Sequence, residues 1–276
     1  MKVLLLTSEA PAQVALANKI SVAFDLCGVV VSRNRSRNAT SSGRLRRKFQ
    51  QAALNRTAGY PLVVAWRSME RDLRLRYPSW PACEIERVDN INDQGTLAAL
   101  ARTAPDVVAV SGTNLLSRRT IETVSETARV LNLHTGISPY VKGGPNCTNW
   151  CLAKGWFHLI GNTTMWIDPG IDTGSILCTE RTELMGRESL EELHRVVMQH
   201  AHSMYVRTLT AVAQPGGLAL AGVPQPEIGE GPIFYIREWT VDQALRADYN
   251  FYRHYRRAFE SGSVGRAAEK IRLVSL

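Results

Sequence analysis

The chain has 276 residues, 45% hydrophobic and 21% charged, proportions ordinary for a globular protein with a substantial buried core. The opening apolar run, Val3 to Leu6, is too short to cross a bilayer or to act as a secretory leader, so the expectation is a cytoplasmic protein without a membrane span. The net charge is +8, and the whole excess has one address: Arg33, Arg35, Arg37, Arg44, Arg46, Arg47, Lys48 and Arg56, with no acidic residue among them.

That basic stretch reads either as a solvated segment leading into a helix or as an anion clamp for a nucleotide diphosphate, a phosphorylated acceptor or an RNA backbone. Phe49 is its one aromatic, and single-stranded nucleic acid is held by stacking on several, so a nucleic-acid partner is not expected. Five scattered cysteines (Cys27, Cys83, Cys147, Cys151, Cys178) read as reduced thiols. Cys147 and Cys151 stand one helical turn apart, but no second pair completes a zinc site, and no metal is expected.

Along the chain, short apolar strands alternate with helical stretches. Val3–Leu6 is a strand, followed by a helix over Ala12–Phe24 and a second strand at Gly28–Val31. Glu84–Val88 and Val107–Val110 are two more, with a helix from Asp93 to Thr103 between them and another from Leu115 to Ala128. This alternation predicts an α/β fold, a Rossmann-like, doubly wound and mostly parallel sheet, which binds ligands at the carboxyl ends of its strands. Thr7-Ser-Glu-Ala-Pro11 after the first strand carries no glycine fingerprint, so NAD and ATP are poor candidates.

Ser189-Leu-Glu-Glu192 is a capping box opening a long helix to about Ala213, and Gln214-Pro-Gly-Gly217 ends it. A boundary is placed there: residues 1–214 form the main unit and 215–276 a small α+β extension. The extension carries a strand at Pro232–Ile236 and a helix opened by a second capping box, Thr240-Val-Asp-Gln243. Val241, Leu245, Tyr249, Tyr252, Tyr255 and Phe259 stripe that helix, and core packing or a homodimer contact ranks ahead of an acceptor-binding wall.

Two runs carry the chemistry. In Arg129-Val-Leu-Asn132-Leu-His134, the Asn and His are two apart on a strand and face one way, before a loop marked by Pro139 and Gly143. In Gly161-Asn-Thr163-Thr-Met165-Trp-Ile-Asp168-Pro-Gly-Ile-Asp172-Thr-Gly174, an apolar strand ends in a turn, and Asp172 sits on the loop beyond. Carboxamide, imidazole and carboxylate suit acyl transfer to an amine: one stabilises an oxyanion, one moves a proton, one orients the imidazole. The remaining histidines, His158, His194, His200, His202 and His254, read as structural or surface residues.

The order Asn132, His134, Pro139, Gly143, Gly161, Thr163, Asp172, Gly174 resembles that of the folate-dependent formyltransferases, best over about residues 100–180. In organisation the chain is most similar to the sugar N-formyltransferases, since the stretch after the boundary is shorter and more helical than the C-terminal barrel of the methionyl-tRNA enzymes. The resemblance implies 10-formyltetrahydrofolate as co-substrate and Asn132, His134 and Asp172 as catalytic residues. It implies a cofactor pocket at Asn114, Leu115, Leu116, Ile167, Asp168, Gly170 and Asp172, and acceptor contacts at Thr135, Lys142 and Gly143. Two departures stand out: Thr135-Gly-Ile-Ser follows the histidine where the family has Pro-Ser-Leu-Leu, and Met165 replaces a second histidine. The implied activity is formyl transfer to a small-molecule primary amine, on an amino sugar or sugar nucleotide, phosphorylated or nucleotide-linked. A formyltetrahydrofolate hydrolase and a non-catalytic binding protein of the same fold are the alternatives.

Overall fold

The computed structural model describes residues 1–34, 52, 56, 59–144, 146–168 and 173–276. Seven strands make the main sheet: β1 (Lys2–Ser8), β2 (Asp25–Ser32), β3 (Ile85–Val88), β4 (Val107–Val110), β5 (Arg129–His134), β7 (Gly161–Trp166) and β8 (Ile176–Arg181). Their order is β3-β2-β1-β4-β5-β7-β8. The first five run parallel, and β7 lies antiparallel to both β5 and β8. Strand order reverses between β1 and β4, the switch point where doubly wound sheets open a crevice.

The central parallel strands β1, β2 and β4 carry continuous apolar runs because both faces of the sheet are covered there. On one face Val3, Leu5, Val29, Val31, Val107, Ala109, Leu131 and Leu133 pack under α1 (Pro11–Ala23) and α6 (Leu190–Val212). On the other, Leu4, Leu6, Val30, Val108, Val110 and Val130 pack under α3 (Gln94–Thr103) and α4 (Arg118–Ser125). Helix α2 (Tyr60–Arg76) lies against α1 and α6. Helix α6 has its full capping box: Ser189 Oγ accepts from the Glu192 amide at 3.2 Å, and Glu192 accepts from the Ser189 amide at 2.8 Å. From α6, the Tyr205 hydroxyl donates to the Leu131 carbonyl at 2.6 Å and accepts from the Val110 amide at 2.9 Å, tying the helix to β4 and β5.

Residues after Gln214 share their core with the rest of the chain. Strand β9 (Ile233–Phe234) pairs with β6 (Lys142–Gly143), and Phe234 stacks on Trp150 of α5 (Cys147–Lys154) at 4.3 Å. Helix α7 (Val241–Asn250) lies on α5, where Asn250 donates to the carbonyls of Leu152 and Ala153. A π-helical turn, Phe251–Tyr255, carries the chain into α8 (Arg256–Glu260) and α9 (Ser263–Ala268). Among the described residues no helix is long and apolar enough to cross a membrane.

Three local expectations need correction. The helix expected from Leu115 begins only at Arg118, because Asn92 holds Leu115 and Ser117 by their backbones and Ser117 Oγ then caps the Thr120 amide. The strand expected over 232–236 has two residues, and Tyr235 turns out of it into a single helical turn capped by Glu238. Thr240 does precede α7, but its side chain makes no cap bond, and the Gln243 amide turns to Asp242 instead.

Candidate functional site

On β5, Val130, Asn132 and His134 share the face that α3 and α4 cover lower down. Val130 is packed under those helices, and the two polar residues follow it towards the carboxyl end of the strand, Asn132 half-buried and His134 buried. The register with β7 sets Asn132 opposite Met165 and His134 opposite Thr163. Directly opposed residues in an antiparallel pair point the same way, so these four side chains line one patch.

His134 is buried, and its Nε2 lies 3.1 Å from the Val141 carbonyl. A carbonyl only accepts, so Nε2 carries the hydrogen, and in the neutral ring Nδ1 is the nitrogen able to take up a proton. The Cys147 sulfur approaches the same Nε2 at 3.5 Å and donates to the Gly143 carbonyl at 3.4 Å. Sequence reasoning treated Cys147 only as a thiol one turn from Cys151, and its place beside the histidine becomes visible once α5 folds back.

Thr163 organises the loop after the histidine. Its hydroxyl donates to the Gly136 carbonyl at 2.7 Å and accepts from the Ser138 amide at 2.9 Å. Thr135 and Gly136 are therefore held against β7 at the histidine's own position in the register. Lys142 and Gly143 form β6 against Ile233 and Phe234. Gly143 has φ +87, and a Cβ there would sit 2.1 Å from the Phe234 carbonyl oxygen, so only glycine allows the pairing.

Met165, in place of a second histidine, is buried among Ile176, Ile228 and Val274. Gln225 from the C-terminal segment packs behind it, its amide donating to the Gly174 carbonyl at 3.0 Å and facing the Met165 sulfur at 3.8 Å.

Asp172 and Gly170 lie outside the described residues. The ends of their loop are fixed: the Thr173 hydroxyl donates to Asp168 at 2.5 Å, and the Ile167 amide donates to the Val130 carbonyl at 2.9 Å. Both ends thus emerge beside β5, two residues before Asn132. Across β4, Asn114 ties the following loop to β2, accepting from Ser32 with its side chain and donating its backbone N–H to Asn34. Leu116 and Ile167 are half-buried against the sheet, and Leu115 is exposed. Of the basic segment, Arg33 and Arg56 are described; Arg33 pairs with Asp89 at 3.4 Å, and the anion-clamp reading otherwise falls outside the described residues.

A cleft of about 420 Å³ opens between α2 and the start of α5. Its walls are Leu62, Trp66 and Arg67 of α2, Asn146 and Asn149 at the start of α5, and Trp239. Its lining mixes apolar and aromatic side chains with two charged residues, Arg67 and Glu70, and two asparagines.

Residues 65–209, just over half of the chain, match the family model for formyl transferases. The chain belongs to the formyl transferase family. A methionyl-tRNA formyltransferase from Clostridium perfringens is 29% identical over 122 residues, 44% of this chain and 38% of that protein. Another from Finegoldia magna is 29% identical over 145 residues, 52% and 42% of the two. The chain thus spans about two fifths of the length of the curated relatives it matches. The fold is shared with a sugar N-formyltransferase from a Shewanella species, with a TM-score of 0.54 at 13% identity over 90% of this chain and 87% of that one. It is shared also with a phosphoribosylglycinamide formyltransferase from Anaplasma phagocytophilum, with a TM-score of 0.52 at 17% identity over 78% and 87%. In this family fold, β5 and the loop after β4 leave the sheet at the same end, whereas β7 runs antiparallel to β5 and ends beside Leu131 and Val130.

Proposed function

We propose that the chain transfers a formyl group from 10-formyltetrahydrofolate to the primary amine of a small molecule, an amino sugar or its nucleotide-linked form. The observation that carries this reading is the placement of Asn132 and His134 on one face of β5, opposite Met165 and Thr163, with the histidine held as the Nε2–H tautomer. The co-substrate supplies the formyl carbon. Asn114, Leu115, Leu116, Ile167 and Asp168 are the described residues that would flank its ring, and Leu116 and Ile167 offer it an apolar border, half-buried against the cluster that holds Val110 and Val130.

Asn132 is assigned the oxyanion role: its side-chain N–H donates to the formyl oxygen as negative charge develops there. His134 Nδ1 takes the proton that the attacking amine must lose and gives it to the departing nitrogen of the folate as its bond to the formyl carbon breaks. Asp172 is assigned the stabilisation of the imidazolium charge, since the Val141 carbonyl already orients the ring through Nε2. Thr135, Lys142 and Gly143 face the acceptor in this reading, and the cleft beyond Asn146 receives the rest of that molecule. The likeness to the sugar enzyme runs over 90% of the chain, against 78% for the ribonucleotide enzyme, which favours the sugar class of acceptor. In the same proposal, residues 1–214 are the catalytic unit and 215–276 an extension that buttresses it through Gln225 and Phe234.

The test is tetrahydrofolate release by the purified protein over a panel of amino sugars and nucleotide-linked amino sugars. Release that requires the amine and disappears in His134→Ala supports the proposal. Equal release without any amine would make it a hydrolase instead.

A further inference from the structure

Helix α7 has two faces. Ala244 and Ala247, followed by Phe251 and Tyr255 on the next turn, are buried against the main body. On the opposite side Val241, Leu245, Tyr249 and Tyr252 are 49, 53, 59 and 66% exposed. Their spacing of four, four and three residues keeps them within one stripe along the helix. Four large apolar side chains aligned in this way are more than the scattered exposed hydrophobics of an ordinary surface.

The charges beside the stripe say what fits it. Asp242 is exposed in the first turn of α7, and Arg253, eleven residues on, is exposed in the π-helical turn that continues it. A helix laid antiparallel on this one about a centre near Ala247 puts Leu245 against Tyr249 of the other helix and Val241 against Tyr252. The same placement brings Asp242 opposite Arg253 and Arg253 opposite Asp242. The pattern is self-complementary, which an isologous two-fold contact requires and a foreign partner does not.

We infer that this face is covered by a second copy of the chain, through antiparallel pairing of helix α7 about a two-fold axis. The pairing uses none of the residues assigned to formyl transfer, so it stands or falls apart from that reading. Asp242 already holds Arg246 at 2.9 Å within one helix, and in the dimer the carboxylate is shared with Arg253 of the second copy.

Sedimentation velocity over a concentration series on the full chain tests this directly. The wild type is expected to sediment as a dimer. Leu245→Asp, at an exposed position that leaves the fold intact by circular dichroism, is expected to sediment as a monomer. Asp242→Arg and Arg253→Asp each place like charges together twice, and each is expected to weaken the dimer roughly fivefold or more. The double reversal restores both pairs and recovers the wild-type constant. A wild-type monomer at the highest soluble concentration overturns the inference. So does a dimer indifferent to Leu245→Asp, or a double reversal no better than the single changes.

Discussion

Nε2 of His134 donates to the carbonyl of Val141, seven residues further along the chain, at 3.1 Å. The bond closes the loop that carries Gly136, Pro139 and Tyr140, and it fixes which ring nitrogen carries the hydrogen in the neutral ring. The loop is therefore part of the histidine's chemistry, since it decides the tautomer.

Glutamine in place of His134 keeps an N–H for Val141 and loses the nitrogen that takes up a proton. His134→Gln is expected to fold normally while formyl transfer falls by about two to four orders of magnitude, the usual worth of a general base. In the wild type, long-range 1H–15N correlation at neutral pH should show the Nε2–H form. An Nδ1–H signal for this residue would contradict the assignment.

Thr163 is the second point at which loop and strand meet, and its hydroxyl serves both the Gly136 carbonyl and the Ser138 amide. Thr163→Val has the same shape and leaves a buried donor and a buried acceptor unmatched. The expected cost is about 2 kcal/mol of stability, read as a lower urea midpoint, with kcat falling because Thr135 and Gly136 are no longer pinned beside His134. Thr163→Ser retains the hydroxyl and should recover most of both. A valine variant as stable and active as the wild type would remove Thr163 from this role.

Adjacent glycines separate close approach from mere flexibility. A Cβ at Gly143 would meet the Phe234 carbonyl at 2.1 Å, while one at Gly144 meets nothing within 4 Å. Gly143→Ala is expected to part β6 from β9 and cost about 2 kcal/mol or more; Gly144→Ala should be close to neutral. Thermal denaturation of the two variants side by side decides it, and equal midpoints would rule out the β6–β9 contact as drawn.

Much of this was legible in the sequence because the signals are local. The buried runs Val3–Leu6 and Val107–Val110, the capping box at Ser189, and the two-residue spacing of Asn132 and His134 need only neighbours to be read. The contacts that shape the site are long-range and left no such mark. Cys147 reaches His134 across thirteen residues, and Gln225 reaches Gly174 across fifty-one. The helix expected from Leu115 failed for the same reason, since the restraint that delays it comes from Asn92 on another segment. The α7 stripe was visible, but periodicity cannot tell a face turned to the core from one turned outward; burial splits it, leaving Tyr255 inside and Val241 to Tyr252 outside.

Two histidines of α6 set the acid limit of stability. Burial pushes His194 down to about 4. Burial, joined by the charge of Lys19, whose Nζ lies 3.3 Å away, pushes His202 down to about 3. Both are therefore neutral in the folded chain at neutral pH, against an ordinary value of 6.5. Above 6.5 neither the folded nor the unfolded chain protonates them, and their effect on stability is constant. Below it the unfolded chain gains protons that the folded chain refuses, so stability falls as pH drops, until the folded values near 4 and 3 are reached. The loss comes to roughly 2 kcal/mol per histidine by pH 5. Urea midpoints at pH 7 and pH 5 should show it, and His194→Leu, which replaces a ring whose Nε2 is buried without a partner, should reduce the difference. If the leucine variant loses as much stability as the wild type over that interval, His194 is already protonated in the folded chain, and its packing against Trp66 at 5.7 Å does not exclude the charge.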